Sequence, residues 1–361
     1  MATFIVDSHV HLFPASHLPT LAWYEPNSPL GSQHSVDEYR HAASSALKPR
    51  ETNNTKLLRG FIFLETDRIS SVADGQPGSL GWSHALDEVS LLTRIALGEP
   101  IPGEGHNAVD RDLCLGIVPW APVPGGTETL RSYMAKVKER TMTEEVWRKI
   151  CGVRYLVQDK PAGVMTEPGF IEGLRWLGEQ NLAFDLGVDA RQGGLGQLRE
   201  AVEMMDKLGN DSSVVIIINH LCKPNLRLPP SAIPTHAEFL EWKHLVTRMA
   251  QANNKSYMKL SGAFSELPPL TADVEPDVSG LVDRLQPWTD VIFDVFGANR
   301  VMFGSDWPVC NVGGGGNNVS WNRWRTVVEG ILDRRGLTAA QKQGIWGQVA
   351  VKAYGIDGIG I

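Results

Sequence analysis

Short apolar runs rich in β-branched residues alternate along this chain with longer stretches whose apolar positions recur every three to four residues. The first kind, too short for helices, covers residues 4–10, 57–64, 113–119, 150–157, 182–187, 213–219, 256–260 and 300–304. Such runs predict buried strands. The second kind covers 83–97, 127–140, 167–180, 196–208, 237–252 and 278–296, and predicts amphipathic helices. A further helical segment is expected from Thr338 onward.

Eight strands alternating with helices require a parallel sheet, and eight parallel strands can close on themselves. The expected fold class is therefore α/β, a (β/α)8 TIM barrel. An open doubly wound sheet is the competing topology, but no strand leads into a phosphate-binding glycine turn. Gly103-Glu104-Gly105 follows Pro100 and Pro102 rather than a strand, and Gly313 to Gly316 is a plain glycine run. A barrel of this kind takes about 250 residues, so a surplus remains in the 361. It falls mainly in loops at about 12–56, 66–82, 222–236 and 263–277 and in the tail after Thr338. With no linker-like composition between them, residues 1–361 are expected to form a single domain. The surplus is then expected to cap the C-terminal face of the barrel as a lid.

At that face the strand tips carry the candidate chemistry. Strand one ends Asp7-Ser8-His9-Val10-His11. Residues two apart on a strand share a face, so His9 and His11 point together at the barrel mouth, suited to binding a metal or polarising a substrate. Strand eight runs Phe303-Gly304-Ser305-Asp306-Trp307-Pro308, which places Asp306 as a base or ligand; a helix-capping role is the bland alternative. Strand six emerges as Asn219-His220-Leu221-Cys222-Lys223-Pro224. Glu65 ends strand two. No Gly-x-Ser-x-Gly nucleophile elbow occurs, which argues against a serine esterase.

Composition trims the alternatives. Lys+Arg 34 against Asp+Glu 41 gives a net charge of −7, with no basic run, so neither nucleic acid nor an anionic membrane is an expected partner. No apolar stretch approaches the ~20 residues of a membrane span, and no secretory leader is recognisable at the N-terminus. Four widely spaced cysteines without a CxxC pair predict neither a disulfide framework nor a zinc knot, and fit a reducing cytoplasm. Tryptophan is abundant, with 11 residues. Trp23, Trp82, Trp120 and Trp307 fall in loops or at strand ends, where flat rings beside polar donors would suit a cyclic polyhydroxylated ligand.

Taken together, Val6-Asp7-Ser8-His9-Val10-His11, Asn219-His220-Leu221-Cys222-Lys223-Pro224, Met258-Lys259-Leu260-Ser261-Gly262 and Phe303-Gly304-Ser305-Asp306-Trp307-Pro308 resemble the amidohydrolase superfamily, in its amidohydrolase-2 branch of lactonases. These pieces span almost the whole chain in the expected order. The resemblance implies a distorted TIM barrel that opens a sugar-derived lactone, L-rhamnono-1,4-lactone or a related aldonolactone, to its hydroxy acid. It makes Asp306 the water-activating base, with His220, Lys223 and Arg154 around the reacting carbonyl. Lys259, Tyr155 and the four tryptophans would contact the substrate. His9, His11, Asp306 and Glu65 would hold one divalent ion, Zn2+ being the first candidate. A barrel-interior salt bridge from Lys259 to Asp7 or Asp185 is the alternative to its substrate role. A second metal lacks ligands, because strands four and five read Gly-Val-Arg-Tyr-Leu and Leu-Ala-Phe-Asp-Leu where binuclear members carry a modified Lys or Glu and a His. A homodimer is left open. So are a decarboxylase or aromatic-catabolic lactonase of the same branch and a non-catalytic metabolite-binding barrel.

Overall fold

The computed structural model describes residues 3–47, 56–73, 81–209 and 212–358. Eight parallel strands follow in chain order, β1 (Thr3–Val10), β2 (Lys56–Leu64), β3 (Cys114–Val118), β4 (Gly152–Arg154), β5 (Ala183–Leu186), β6 (Ile216–Ile218), β7 (Ser256–Leu260) and β8 (Val301–Phe303). Ladders join β1 to β3 and β4 to β8. Single parallel bridges close both seams, Ile117 with Ile150 and Trp120 with Arg154 between β3 and β4, and Val10 with Trp307 between β8 and β1. The result is a distorted (β/α)8 barrel. Several strands are shorter than their apolar runs suggest. At β6, Val214 and Val215 precede the three paired residues, because a run of buried apolar residues marks burial and not ladder pairing.

The return helices are α1 (Ser83–Leu97), α2 (Gly126–Thr141), α3 (Pro168–Glu179), α4 (Leu195–Leu208), α5 (Ala237–Ala252), α6 (Val278–Phe296) and α7 (Ser320–Arg334). The first six match the periodic stretches to within two residues. The pattern read from the sequence omits α7, although Trp321, Trp324, Val328 and Ile331 on its buried face keep helical spacing.

Two apolar layers result. Ile216, Ile218, Met258 and Leu260 point outward to the helices, and Val6, Ala183, Ile217, Tyr257 and Met302 fill the barrel. The C-terminal segment completes the inner layer. Thr338 caps a short helix through a reciprocal pair with Gln341, and the chain continues into α8 (Val349–Ala353). Val349, Ala350, Ala353 and Tyr354 pack on the inner-facing residues, beside Ala183, Val215 and Tyr257 at the strand starts. The tail therefore seals the end of the barrel opposite His9 and Asp306. Its apolar face needs burial, and the open bottom of the barrel supplies it, so this part of the surplus is not a lid.

The loops after β1 and β2 do meet over the C-terminal face. Leu21 bridges Arg68, the Ala22 amide donates to the Asp67 carbonyl at 2.9 Å, and Trp23 Nε1 donates to the Thr66 carbonyl at 2.8 Å. All four cysteines are buried and unpaired. Among the described residues no helix is long and apolar enough to cross a membrane.

Candidate active site

Backbone irregularities at the strand tips build the site. Along β6, Ile217 faces inward, so strict alternation sends Asn219 inward and His220 out to the helices. His220, Leu221, Cys222 and Lys223 instead take positive φ of 55°, 54°, 61° and 45°, one left-handed 3₁₀ turn that costs L-residues roughly 1–2 kcal/mol each. In such a turn, residues three apart eclipse. The turn brings His220 back into the barrel mouth and puts Lys223 beside it. Strain of this kind persists where the surrounding structure holds it. Here Gly262 allows it, since a Cβ on Gly262, itself at φ +69°, would stand 2.5 Å from the His220 ring. In β1, the register shifts between Ile5 and Val6 and again between Asp7 and Val10, and the second shift re-aims the His-x-His pair inward. Asp306 also has positive φ, 60°. Its turn is tied to β1, because Asp7 Oδ1 accepts from the Ser305 amide at 2.7 Å while Asp7 Oδ2 accepts from Tyr39 and Trp321.

Three imidazoles converge on Asp306. Its Oδ1 lies 3.5 Å from His9 Nε2, 3.8 Å from His11 Nε2 and 3.6 Å from His220 Nε2. Its Oδ2 is buried without a protein partner. Burial pushes the Asp306 carboxyl up to about 7, against the pull of Lys223, Arg154 and Lys259. Burial also holds His9 and His220 well below the usual histidine range, helped by Lys259 and Lys223 respectively, and lowers His11 to about 3. All three rings are neutral.

Their protons can be placed. His11 Nδ1 faces the Leu64 and Glu65 carbonyls at 3.0 and 2.9 Å. Carbonyls only accept, so Nδ1 carries the hydrogen and Nε2 keeps its lone pair. Lys259 Nζ donates to His9 Nδ1 at 3.2 Å, which puts the His9 proton on Nε2, 3.1 Å from His11 Nε2. His220 Nδ1 meets the Ser261 hydroxyl at 2.8 Å.

Donor atoms of His9, His11 and Asp306 all lie within 4.8 Å of one another. The set fits a single divalent ion. The orphaned Asp306 oxygen supplies an unused lone pair, and a His held by carbonyls at its far nitrogen is oriented as a metal-ligating His is. His9 would ligate through Nε2 as the Nδ1–H tautomer, its ring proton moved to the nitrogen that faces Lys259. Glu65 is not part of this set; its two oxygens accept from Arg154 Nε and from the Asp67 amide, both at 2.5 Å.

A cavity of about 280 Å3 opens above Asp306, within reach of a small cyclic molecule. His11, Arg154, His220, Lys223 and Asp306 line it, with Trp23. The other residues expected to contact substrate lie outside its wall. Lys259 is fully buried below it, with Nζ 2.6 Å from Asp185 Oδ1, so the interior ion pair takes that side chain. Trp82 and Trp120 pack edge-on against Tyr133, Tyr155 packs against Trp120 and Phe170, and Trp307 lies against Tyr39 with its Nε1 on Asn317. Large rings at strand ends found more contact area in the barrel shell than in the mouth. Asn219, Asp67, Gln158 and Asp159 line the cavity as well and were not singled out from the sequence. Inward alternation along β6 is the signal that could have found Asn219.

A model of the family described as Amidohydrolase matches residues 119–356. The chain belongs to the amidohydrolase family. An L-rhamnono-gamma-lactonase of Scheffersomyces stipitis is 35% identical to this amidohydrolase over 353 residues, 98% of each chain. An L-fucono-1,5-lactonase of Burkholderia multivorans is 26% identical over 222 residues, 58% of this chain and 65% of that one. In fold, this amidohydrolase is similar to a Burkholderia multivorans amidohydrolase whose crystal structure holds zinc, with TM-score 0.67 and 21% identity over 98% of this chain and 99% of that one.

Proposed function

We propose that this amidohydrolase opens a sugar-derived lactone, L-rhamnono-1,4-lactone or a close aldonolactone, to its hydroxy acid by attack of a water molecule. The observation that carries the reading is the Asp306 carboxylate, ringed by three neutral imidazoles at the floor of a ligand-sized cavity. The near full-length likeness to a rhamnono-lactonase supports the choice of substrate.

Lactone hydrolysis needs a base for water, donors for the developing oxyanion and a proton for the departing ring oxygen. Asp306, with a carboxyl near neutrality, accepts the proton of the attacking water and returns it to the ring oxygen as the bond breaks. A hydroxyl donated from Ser261 to His220 Nδ1 leaves the His220 proton on Nε2, facing the carbonyl. Lys223 and Arg154 supply positive charge on the cavity wall. Burial raises what each of these charges is worth to an oxyanion. His9, His11 and Asp306 would hold one divalent ion, Zn2+ first among candidates, which supplies Lewis-acid polarisation of the carbonyl when bound.

The wall also favours a neutral substrate. Arg154 is already matched by Glu65, Lys223 stands 3.8 Å from Asp189, and Asp67 and Asp159 add negative charge. A dicarboxylate such as an aromatic-catabolic lactone would find few uncompensated cations. A decarboxylase reading is weaker because β5 offers Asp185, committed to Lys259, in place of a metal-binding His.

The test offers purified protein L-rhamnono-, L-fucono- and D-glucono-lactones in a weakly buffered indicator assay. Acid release above the spontaneous rate is expected on at least one. None on any would overturn the reading.

A further inference from the structure

Asn219 is almost wholly buried, yet neither Oδ1 nor Nδ2 has a protein partner. Stranding a buried amide is costly, so native structures rarely leave both of its atoms unmade. Its backbone is fully engaged and unstrained, with φ −87°, the amide donating to the Leu186 carbonyl and the carbonyl accepting from Cys222. The side chain alone is free, and it faces the cavity above Asp306. The neighbouring strand tips frame it. Leu156 after β4 and Gly187 after β5 line the same wall. A Cβ on Gly187 would stand 3.8 Å from Asn219 Nδ2 and 3.0 Å from Leu156 Cδ1, so a side chain there would crowd Leu156 and stand against the amide.

We infer that Asn219 determines substrate specificity, its amide receiving hydroxyl groups of the lactone, one donating to Oδ1 and another accepting from Nδ2. A carboxamide offers one donor face and one acceptor face side by side, which matches two neighbouring hydroxyls on a ring, while Leu156 beside it matches the ring's C–H surface. A site built to bond a hydroxyl discriminates strongly against an analogue lacking it, because the buried group is then left unpaired. This rests on the lactonase reading.

The experiment measures kcat/KM of wild type, Asn219→Ala and Gly187→Ala on the preferred aldonolactone and on analogues each lacking one hydroxyl. Wild type is expected to lose about 10- to 100-fold on at least one deoxy analogue. Asn219→Ala should lose a similar factor on the parent lactone and almost nothing more on that analogue. Gly187→Ala, which removes no polar group, should raise KM for the parent more than for the analogue. Equal losses by Asn219→Ala on parent and analogues, or no discrimination by wild type, would overturn the inference. If wild type hydrolyses no lactone, the functional reading has failed. Calorimetric binding of the corresponding aldonate then decides for Asn219, with weaker binding by Asn219→Ala supporting the inference and equal affinity overturning it.

Discussion

The ammonium of Lys259 and the carboxylate of Asp185 face each other at 2.6 Å inside the barrel, both with fully buried side chains. The other Asp185 oxygen accepts from Tyr354 at 2.6 Å, and Lys259 also donates to His9. Removing one partner strands the other charge, at a cost of about 3–5 kcal/mol. Lys259→Met is expected to destabilise by that order, and Lys259→Met with Asp185→Asn to recover much of it. Chemical denaturation of both singles and the double checks this; additive losses would mean that the pair is not coupled.

Asp306→Asn should lower turnover by about 10²- to 10⁴-fold while leaving the unfolding temperature nearly unchanged. Asn tolerates the left-handed backbone that Asp306 adopts, so the substitution removes the base without disturbing the turn. Steady-state kinetics beside a thermal melt separates the two effects. Activity close to wild type would take Asp306 out of the reaction.

Elemental analysis after zinc loading and desalting should find about one ion per chain. His9→Ala with His11→Ala should find essentially none, and Glu65→Gln should keep its ion, because Glu65 is engaged by Arg154. Loss of zinc in the Glu65 variant would place that carboxylate among the ligands.

Glu88 is buried on α1, accepting from the Thr66 hydroxyl and amide, and burial with the nearby Glu65 charge pushes it up to about 8. Its folded value lies above the unfolded one, near 4.5. The folded state thus holds the proton more tightly. The contribution is fully present below about pH 4.5 and is lost as pH rises through about 8. Glu88→Gln, which cannot ionise, should gain on wild type by a few degrees of melting temperature, on the order expected for such a linkage, between pH 5 and 9. Parallel melting curves across that range would show that Glu88 does not titrate there.

Sequence periodicity located the barrel because helix faces and strand runs are set by local burial, and α6 follows its stripe from Val278 to Phe296 despite Pro287 within it. The His9/His11 pair was legible from its place at the end of the first strand. Asn219 beside His220 was harder. Alternation separates these neighbours, and only a left-handed turn reunites them, a conformation that none of those four side chains announces. The aromatic residues misled for a related reason. Trp82 and Trp120 sit at loop positions, but Tyr133 offers both of them an edge to pack on. Lys259 had two partners open to it in the sequence, and Asp7 was already taken by Ser305, Tyr39 and Trp321.

The closed seam between β8 and β1 bears on how the molecule comes into being. Asp306 donates its amide to the His9 carbonyl at 3.0 Å, and His11 donates to Trp307 at 2.8 Å. Residues from opposite ends of the chain thus share one bond network, and α8 then fills the barrel beneath them. During synthesis, His9 leaves the ribosome early and must wait for most of the chain before its partner exists. Contacts of such long sequence separation form late and slowly. A nascent chain stalled before β8 would hold most of the strands and all three imidazoles, and still lack Asp306 on which they converge.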